Sequence, residues 1–190
     1  MSSPTIGFAM CGSFCTFEKV LTALEQLHAR YPNIIPIMSA VSYETDSRFG
    51  PAEQFRSRLE SICGHEIIHT LAQAEPIGPK KLLDALVVAP ATGNTLAKLA
   101  SGIADGPVTL ACKAHLRNER PVILAVSTND GLAGNASSIA ALLNRTNYYF
   151  VPFGQDAAVK KPRSLVAHFD LLPDTVEAAL RGEQLQPMLV

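Results

Sequence analysis

Charge is scarce in this sequence and nearly balanced: 17% of its residues are charged and the net charge is −1. No overall field exists to hold nucleic acid or an acidic membrane, so any charge-based recognition has to be local. Cysteine is sparse as well. Cys11, Cys15, Cys63 and Cys112 include no CxxC pair, whereas a zinc site wants clustered soft ligands and a secreted disulfide scaffold wants more cysteine per residue. Reduced thiols, a cytoplasmic setting and no metal site are therefore expected. No apolar run reaches about 18 residues, so no helix is expected to span a membrane. The amino end, MSSPTIGFAMCGSFC, has neither a basic region nor a long apolar stretch, and no signal peptide is expected. Neither GxGxxG nor GxxxxGK[ST] occurs, so the common dinucleotide and NTP fingerprints are missing. A Ser–His–acid order with a GxSxG elbow is missing too.

What is present is a hydrophobic fraction of 47% in 190 residues, enough for one well-buried domain. No internal repeat, low-complexity segment or splitting linker interrupts it. Short apolar runs alternate with helical patterns. Ile6 to Met10 predicts a strand, Phe17 to Tyr31 a helix on the spacing of Val20, Leu21, Leu24 and Leu27, and Ile34 to Met38 a second strand. SAVSYETDSRFGP follows as a polar loop, with Pro51 opening the next helix. Glu66 to Ile68 is a short strand candidate, and Asp84 to Ala89 is a strand after the connector AEPIGPKK. Two helices around Thr95–Ser101 and Val108–Arg117 precede a strand from Pro121 to Val126. A helix through Ile139, Leu142 and Leu143 leads to a last strand, Tyr148 to Val151. PFGQDAAVKKPRS reads as a loop and Leu165–Leu180 as the terminal helix. Strands apolar on both faces and separated by helices mean a mainly parallel sheet covered on both sides. The expected fold is a three-layer α/β/α, doubly wound, flavodoxin-like or Rossmann-like domain.

In such folds ligands bind at the carboxyl ends of the strands, and here those exits share one character. They are Cys11-Gly12-Ser13, then Ser39, then Ala91-Thr92-Gly93-Asn94-Thr95, then Ser127-Thr128-Asn129-Asp130. Gly12 and Gly93 let backbone N–H groups approach a ligand closely. Each loop feeds a helix whose first N–H groups are unpaired and carry partial positive charge. Ser13, Thr92 and Thr95 can add hydroxyl donors to a phosphate held there. Asn94 and Asn129 can present amides to a heterocycle edge. Any one of these residues also serves as an ordinary N-cap; four such exits on one edge favour a mononucleotide-type cofactor.

The segment APATGNTLAKLASGIAD resembles the PASANT-type segment of the FMN-binding flavoprotein family. That family includes cysteine decarboxylases acting on peptide precursors or on phosphopantothenoylcysteine. GIAD at 102–105 is also similar to the related flavin prenyltransferases. With Gly12-Ser13 and VILA at 122–125, the resemblance covers roughly the first three quarters of the chain. TDSRFG (45–50), AEPIGPK (74–80), STNDGL (127–132), YFVPFGQD (149–156), KKPRSLVA (160–167) and QLQP (184–187) resemble more narrowly the dipicolinate synthase branch. That resemblance implies a flavoprotein-fold subunit acting with a separate Rossmann-type A subunit that uses NADP or NAD. Together such a pair oxidises a dihydrodipicolinate-type precursor to pyridine-2,6-dicarboxylate in the mother cell of a sporulating bacterium. It also implies FMN at the strand exits, and self-association. Two departures stand out. The catalytic His-Ile-x-Leu stretch of the decarboxylases falls at Glu75-Pro76-Ile77-Gly78, without histidine. Their PxMNxxMW motif, which clasps a substrate carboxylate, falls at Ser127 to Gly131, without methionine. Decarboxylase chemistry is therefore not expected, and no catalytic acid or base is assigned.

A pyridine dicarboxylate precursor is a small dianion and asks for cations near the cofactor. Arg48, in the loop after the second strand, and Lys160, Lys161, Arg163 and Ser164, after the last, are the substrate-binding candidates. Arginine can grip a carboxylate through two N–H groups. A solvated surface run or a docking patch for the A subunit is the alternative use of KKPR. His28, His65, His69, His115 and His168 are expected to be structural or surface residues. A non-catalytic subunit that holds only an anion or substrate for its partner, and a stand-alone decarboxylase or prenyltransferase, are the competing functions.

Overall fold

The computed structural model describes residues 3–190. Five strands run parallel: β1 (Ile6–Met10), β2 (Ile34–Met38), β3 (Ala85–Ala91), β4 (Val122–Thr128) and β5 (Tyr148–Phe150). Their order is β2-β1-β3-β4, with β5 beside the first half of β4. Every residue of β1, β3 and β4 is buried, as unbroken apolar strands require. The helices α1 (Phe17–Arg30), α2 (Ala40–Glu44), α3 (Ala52–Cys63), α4 (Leu71–Ala74), α5 (Gly93–Ala100), α6 (Pro107–Leu116), α7 (Ala136–Leu143) and α8 (Leu172–Leu180) cover the sheet. α1 packs with α3 and α8, while α5 packs with α6 and α7. Phe17 meets Phe55 edge to face at 5.0 Å beneath α1 and α3, a preferred aromatic geometry.

The expected α/β architecture holds, with differences that matter for the site. The polar loop after β2 contains α2, capped by Ser39, whose side chain accepts from Ser42 N. Glu66 to Ile68 makes only a single bridge, Ile68 to Ile37. The chain cannot continue as a strand there, because Thr70 and Gln73 form a capping box that starts α4 at Leu71. β3 runs on through Pro90 to Ala91, and its register with β4 shifts between Val88 and Ala91, since Pro90 has no N–H to give the ladder.

The carboxyl-terminal segment departs most from expectation. PFGQDAAVKKPRS is not a loop: β6 (Phe153–Ala157) and β7 (Lys161–Ala167) form an antiparallel hairpin. Leu165 to Ala167 belong to β7, and the terminal helix begins only at Leu172. Lys161, Arg163 and Ser164 therefore lie on a strand, and Lys160 in the turn before it. β4 extends past β5, and its overhanging Ser127 and Thr128 pair with Val166 and Leu165 of β7. Backbone groups left unpaired by the short neighbour find their partners in the hairpin.

Candidate functional site

The carboxyl edge of the sheet carries two adjoining depressions. The larger, about 510 Å³, is bordered by Gly12, Ser39, Thr92, Asn94 and Thr95 together with Cys11, Val41, His69, Lys98, Asp105 and Thr109. The smaller, about 160 Å³, is bordered by Ser13, Ser127, Thr128, Asn129, Lys161 and Ser164 with Cys15, Thr16, Lys19 and Asp156. A hydrogen bond of 2.8 Å between Ser13 Oγ and Ser127 Oγ ties the exit of β1 to the end of β4. Gly12 faces one depression and Ser13 the other. The expected single ligand edge is thus two compartments.

The floor of the larger cavity is the start of α5. Thr92 is its N-cap: Oγ1 accepts from Thr95 N at 3.2 Å and lies 3.0 Å from Thr95 Oγ1. This satisfies one of the orphan N–H groups of the helix, and of the two hydroxyl protons one joins the pair and the other is left for a ligand. Gly93 has a packing reason rather than a conformational one. A Cβ there would lie 2.7 Å from Thr128 Oγ1 and collide with the Asn135 amide. Those two groups hold the Asp130 carboxylate, which accepts from Thr128 Oγ1 at 2.5 Å and from Asn135 Nδ2 at 2.8 and 2.7 Å. The hydrogen bond from Thr128 is the main cause that holds Asp130 below the usual carboxylate range. The loop after β4 is thereby clamped behind the first turn of α5. Ala91 is fully buried and, like Gly93, shapes the wall without bordering either depression.

Several residues at the cavity were not expected there from sequence. His69, expected to be structural or surface, lies on the wall with its ring stacked on Tyr43 at 3.9 Å and 5°; Tyr43 also carries the Arg56 guanidinium 4.6 Å from its centroid. Finding it would have required knowing that α2 carries Tyr43 beside the chain at 69. Lys98 Nζ donates to both oxygens of Asp105 at 2.9 and 2.8 Å, and this bond holds Asp105 below its ordinary value. The pair brackets the turn at Gly102, whose φ is +72°, a left-handed conformation suited to glycine. It was visible only as Asp105 in GIAD. Cys11 also faces the cavity, but burial pushes its thiol up to about 11 against a smaller opposing hydrogen bond with Thr95, so it is a neutral thiol at physiological pH.

Of the predicted substrate residues, Lys161 and Ser164 reach the smaller recess, while Arg48, Lys160 and Arg163 are exposed and border neither depression. Arg48 lies over the Phe49 ring at 4.9 Å. His115 is structural: it is buried, its Nε2–H donates to Pro121 O at 3.1 Å, and burial lowers its pKa to about 4.

Polar strand exits gathered around a cavity on a doubly wound sheet define a flavoprotein-type fold, and the chain belongs to the flavoprotein family, whose model matches residues 1–164. Within that family it is similar to the B subunit of dipicolinate synthase from Bacillus subtilis (strain 168), with 45% identity over 97% of this chain and 92% of the relative. The crystal structure of the corresponding dipicolinate synthase B subunit from Bacillus halodurans matches with a TM-score of 0.90 and 42% identity, covering 98% of this chain and 96% of that one. The FMN-dependent cysteine decarboxylase SpaF shares the fold at a TM-score of 0.71 and 22% identity, over 94% of this chain and 95% of that one.

Proposed function

We propose that the chain is the flavoprotein-fold B subunit of a dipicolinate-forming oxidoreductase. It acts with a separate A subunit that uses NADP or NAD, and the pair oxidises a dihydrodipicolinate-type precursor to pyridine-2,6-dicarboxylate in the mother cell of a sporulating bacterium. The observation that carries this reading is the end-to-end similarity to the dipicolinate synthase B subunit, 45% identical over 97% of the chain.

The larger cavity suits FMN. Its volume of about 510 Å³ falls within the range of about 300–1,000 Å³ typical of small-molecule sites. Val41, Leu71, Pro107 and Val108 supply apolar wall, Thr92, Asn94 and Thr95 supply hydroxyl and amide groups, and Ser39, bonded to Ser42, fixes the backbone beside them. Its lysine, Lys98, is paired with Asp105, so a phosphate would be held by N–H and O–H donors rather than by a free cation. FMN bound there supplies a two-electron acceptor for oxidation of the substrate. The protein's part is to fix the ring and the phosphate through the first turn of α5 and the β1 exit. The clamp on Asp130 keeps that turn in place.

Reconstitution with the A subunit tests the reading. Dipicolinate is expected only when both chains are present, and the full rate from the A subunit alone would refute it. FMN binding is tested separately: a purified chain that is colourless and ignores added FMN would remove the flavin.

A second reading, a non-catalytic subunit holding only an anion or substrate, is favoured by one observation. The place of the decarboxylases' histidine is a 3-10 turn, Glu75–Ile77, in which Ile77 is buried. That reading expects full synthase activity after Thr92→Ala and Asn94→Ala with assembly intact; a sharp loss would reject it. Decarboxylase or prenyltransferase activity without the A subunit would revive the third.

A further inference from the structure

The smaller recess is too small for a flavin and differs in charge from the cavity beside it. At about 160 Å³ it holds the liquid volume of about five waters, at ~30 Å³ each, which is the scale of a single substituted ring. Its charged groups are Lys19, Lys161 and Asp156, a formal excess of one positive charge, whereas Lys98 and Asp105 cancel in the larger cavity. Among the described residues, Lys19 lies within ion-pair distance of no carboxylate. Lys161 is paired with Asp156 at 2.6 Å, both side chains being substantially exposed. An exposed pair of this kind is readily exchanged for a better anion.

Ser164 is an independent observation at the same recess. It is 3% exposed, yet its hydroxyl reaches only Thr128 O at 3.4 Å and Asn129 Oδ1 at 3.5 Å, beyond the ordinary range of about 2.5–3.0 Å for an O–H donor. Both bonds are long, so this hydroxyl, which borders the polar recess, can turn to a nearer acceptor there at little cost. The Asn129 amide, exposed on the same rim, offers a second N–H donor.

We propose that this recess binds a small ring dicarboxylate, with Lys161 exchanging Asp156 for one carboxylate, Lys19 facing the other, and Ser164 and Asn129 donating to their oxygens. The carboxylate clasp of the family's decarboxylases, absent from the sequence here, is replaced by groups from the hairpin and from α1. The ring is then set next to the larger cavity, across the Ser13–Ser127 bond. The choice of a dicarboxylate rests on the functional reading above; the recess, its charge and its hydroxyl do not.

Cys15 supplies the assay. It is exposed and borders the recess, whereas Cys11, Cys63 and Cys112 are buried. Alkylation of Cys15 by iodoacetamide, an uncharged reagent, is followed by mass spectrometry on the full-length chain, with dipicolinate or an equal ionic strength of chloride. Dipicolinate is expected to slow alkylation of Cys15 at least about tenfold at saturation. Lys161→Gln is expected to raise the half-protecting concentration about tenfold and Ser164→Ala several-fold, the effects of losing one charge-assisted and one neutral hydrogen bond. Thermal melts of both variants confirm folding. No protection up to about 10 mM, where binding would be weaker than any useful affinity, overturns the proposal. Protection unchanged in both variants overturns it as well. Visible absorbance of FMN on the same samples keeps the two readings apart. Protection without flavin binding supports the recess and removes the flavin; flavin binding without protection does the reverse.

Discussion

Gly93→Ala probes the clamp that connects the two compartments. Gly93 is the first residue of α5, where alanine has no conformational penalty and would by itself stabilise the chain by about 0.4–1 kcal/mol through the unfolded state. The surroundings reverse that sign. The new methyl would sit 2.7 Å from Thr128 Oγ1 and collide with the Asn135 amide, so one of these must move. Both are donors to the Asp130 carboxylate, and each hydrogen bond to a charged group contributes about 1.5–3 kcal/mol. Losing one of them, together with overpacking of about 1–3 kcal/mol and less the gain through the unfolded state, gives a net destabilisation of about 1.5–5.5 kcal/mol. For a domain of this size that corresponds to a melting shift of about 3–22 °C. The same movement lifts the first turn of α5, so FMN affinity is expected to fall at least about tenfold, a change of ~1.4 kcal/mol. Calorimetry and a flavin titration measure the two effects. Asn135→Ala should cost less in the Gly93→Ala background than in the wild type, because the amide it removes is one the methyl has already displaced from Asp130. A Gly93→Ala protein with wild-type melting temperature and wild-type flavin binding would refute the argument that this glycine is required by the clamp.

Thr92→Ala removes the N-cap of α5 and should cost about 1 kcal/mol, or about 2–4 °C in Tm, with Thr92→Ser retaining most of it; equal loss in both variants would point away from the hydroxyl. Ser13→Ala and Ser127→Ala, combined in a double-mutant cycle, should show a coupling of about 1 kcal/mol across their 2.8 Å bond, and additive melting shifts would mean that the bond does not join the β1 and β4 exits. His115 sets a pH dependence. Burial, reinforced by the nearby Arg120 charge and opposed by the Pro121 carbonyl and Asp84, places its folded pKa at about 4 against an ordinary 6.5. The unfolded chain therefore binds the proton first, so stability is full above about pH 6.5 and falls with acid by about 3 kcal/mol as pH approaches 4. Denaturant midpoints from pH 7 to 4 should show this slope in the wild type and not in His115→Gln; identical slopes would exclude His115 as its source.

The layered fold was legible because β1, β3 and β4 are apolar along their whole length, a pattern that only a sheet covered on both sides explains. The hairpin was not. Gln155, Asp156, Lys160, Lys161 and Arg163 are exposed, so neither strand shows the alternation by which one is recognised. What makes them strands is the overhang of β4 at Ser127 and Thr128, a condition set by the length of β5 rather than by any local residue. The single bridge at Ile68 fails in the opposite way: the apolar residues are present, but the capping box at Thr70 ends the segment before a ladder can form.

The site was legible as a set of polar residues at strand exits, but polarity alone does not tell which groups face a ligand. Thr128, expected to contact a cofactor, donates to Asp130, and the neighbouring Asp130 is held by Asn135. Ser39 and Ser42 bond to each other and to the β1 exit. These groups are already partnered, and their work is to fix the backbone. The division of the edge into two compartments likewise depends on a bond between residues 114 positions apart in sequence, beyond the reach of any local pattern. In the sites proposed above, recognition falls to a different group: Asn94 and Asn129 on exposed rims, Lys19, which among the described residues is paired with no carboxylate, and the buried Ser164 hydroxyl with only long contacts. Hydrogen-bonding capacity that the fold uses weakly or not at all at the mouth of a cavity is where a ligand gains affinity, because forming those bonds gives up little inside the protein. Substitutions at Thr128 or Asp130 should therefore shift melting and flavin binding together. Substitutions at Asn129 or Ser164 should change dicarboxylate protection of Cys15 while leaving the melting temperature within about 2 °C of wild type.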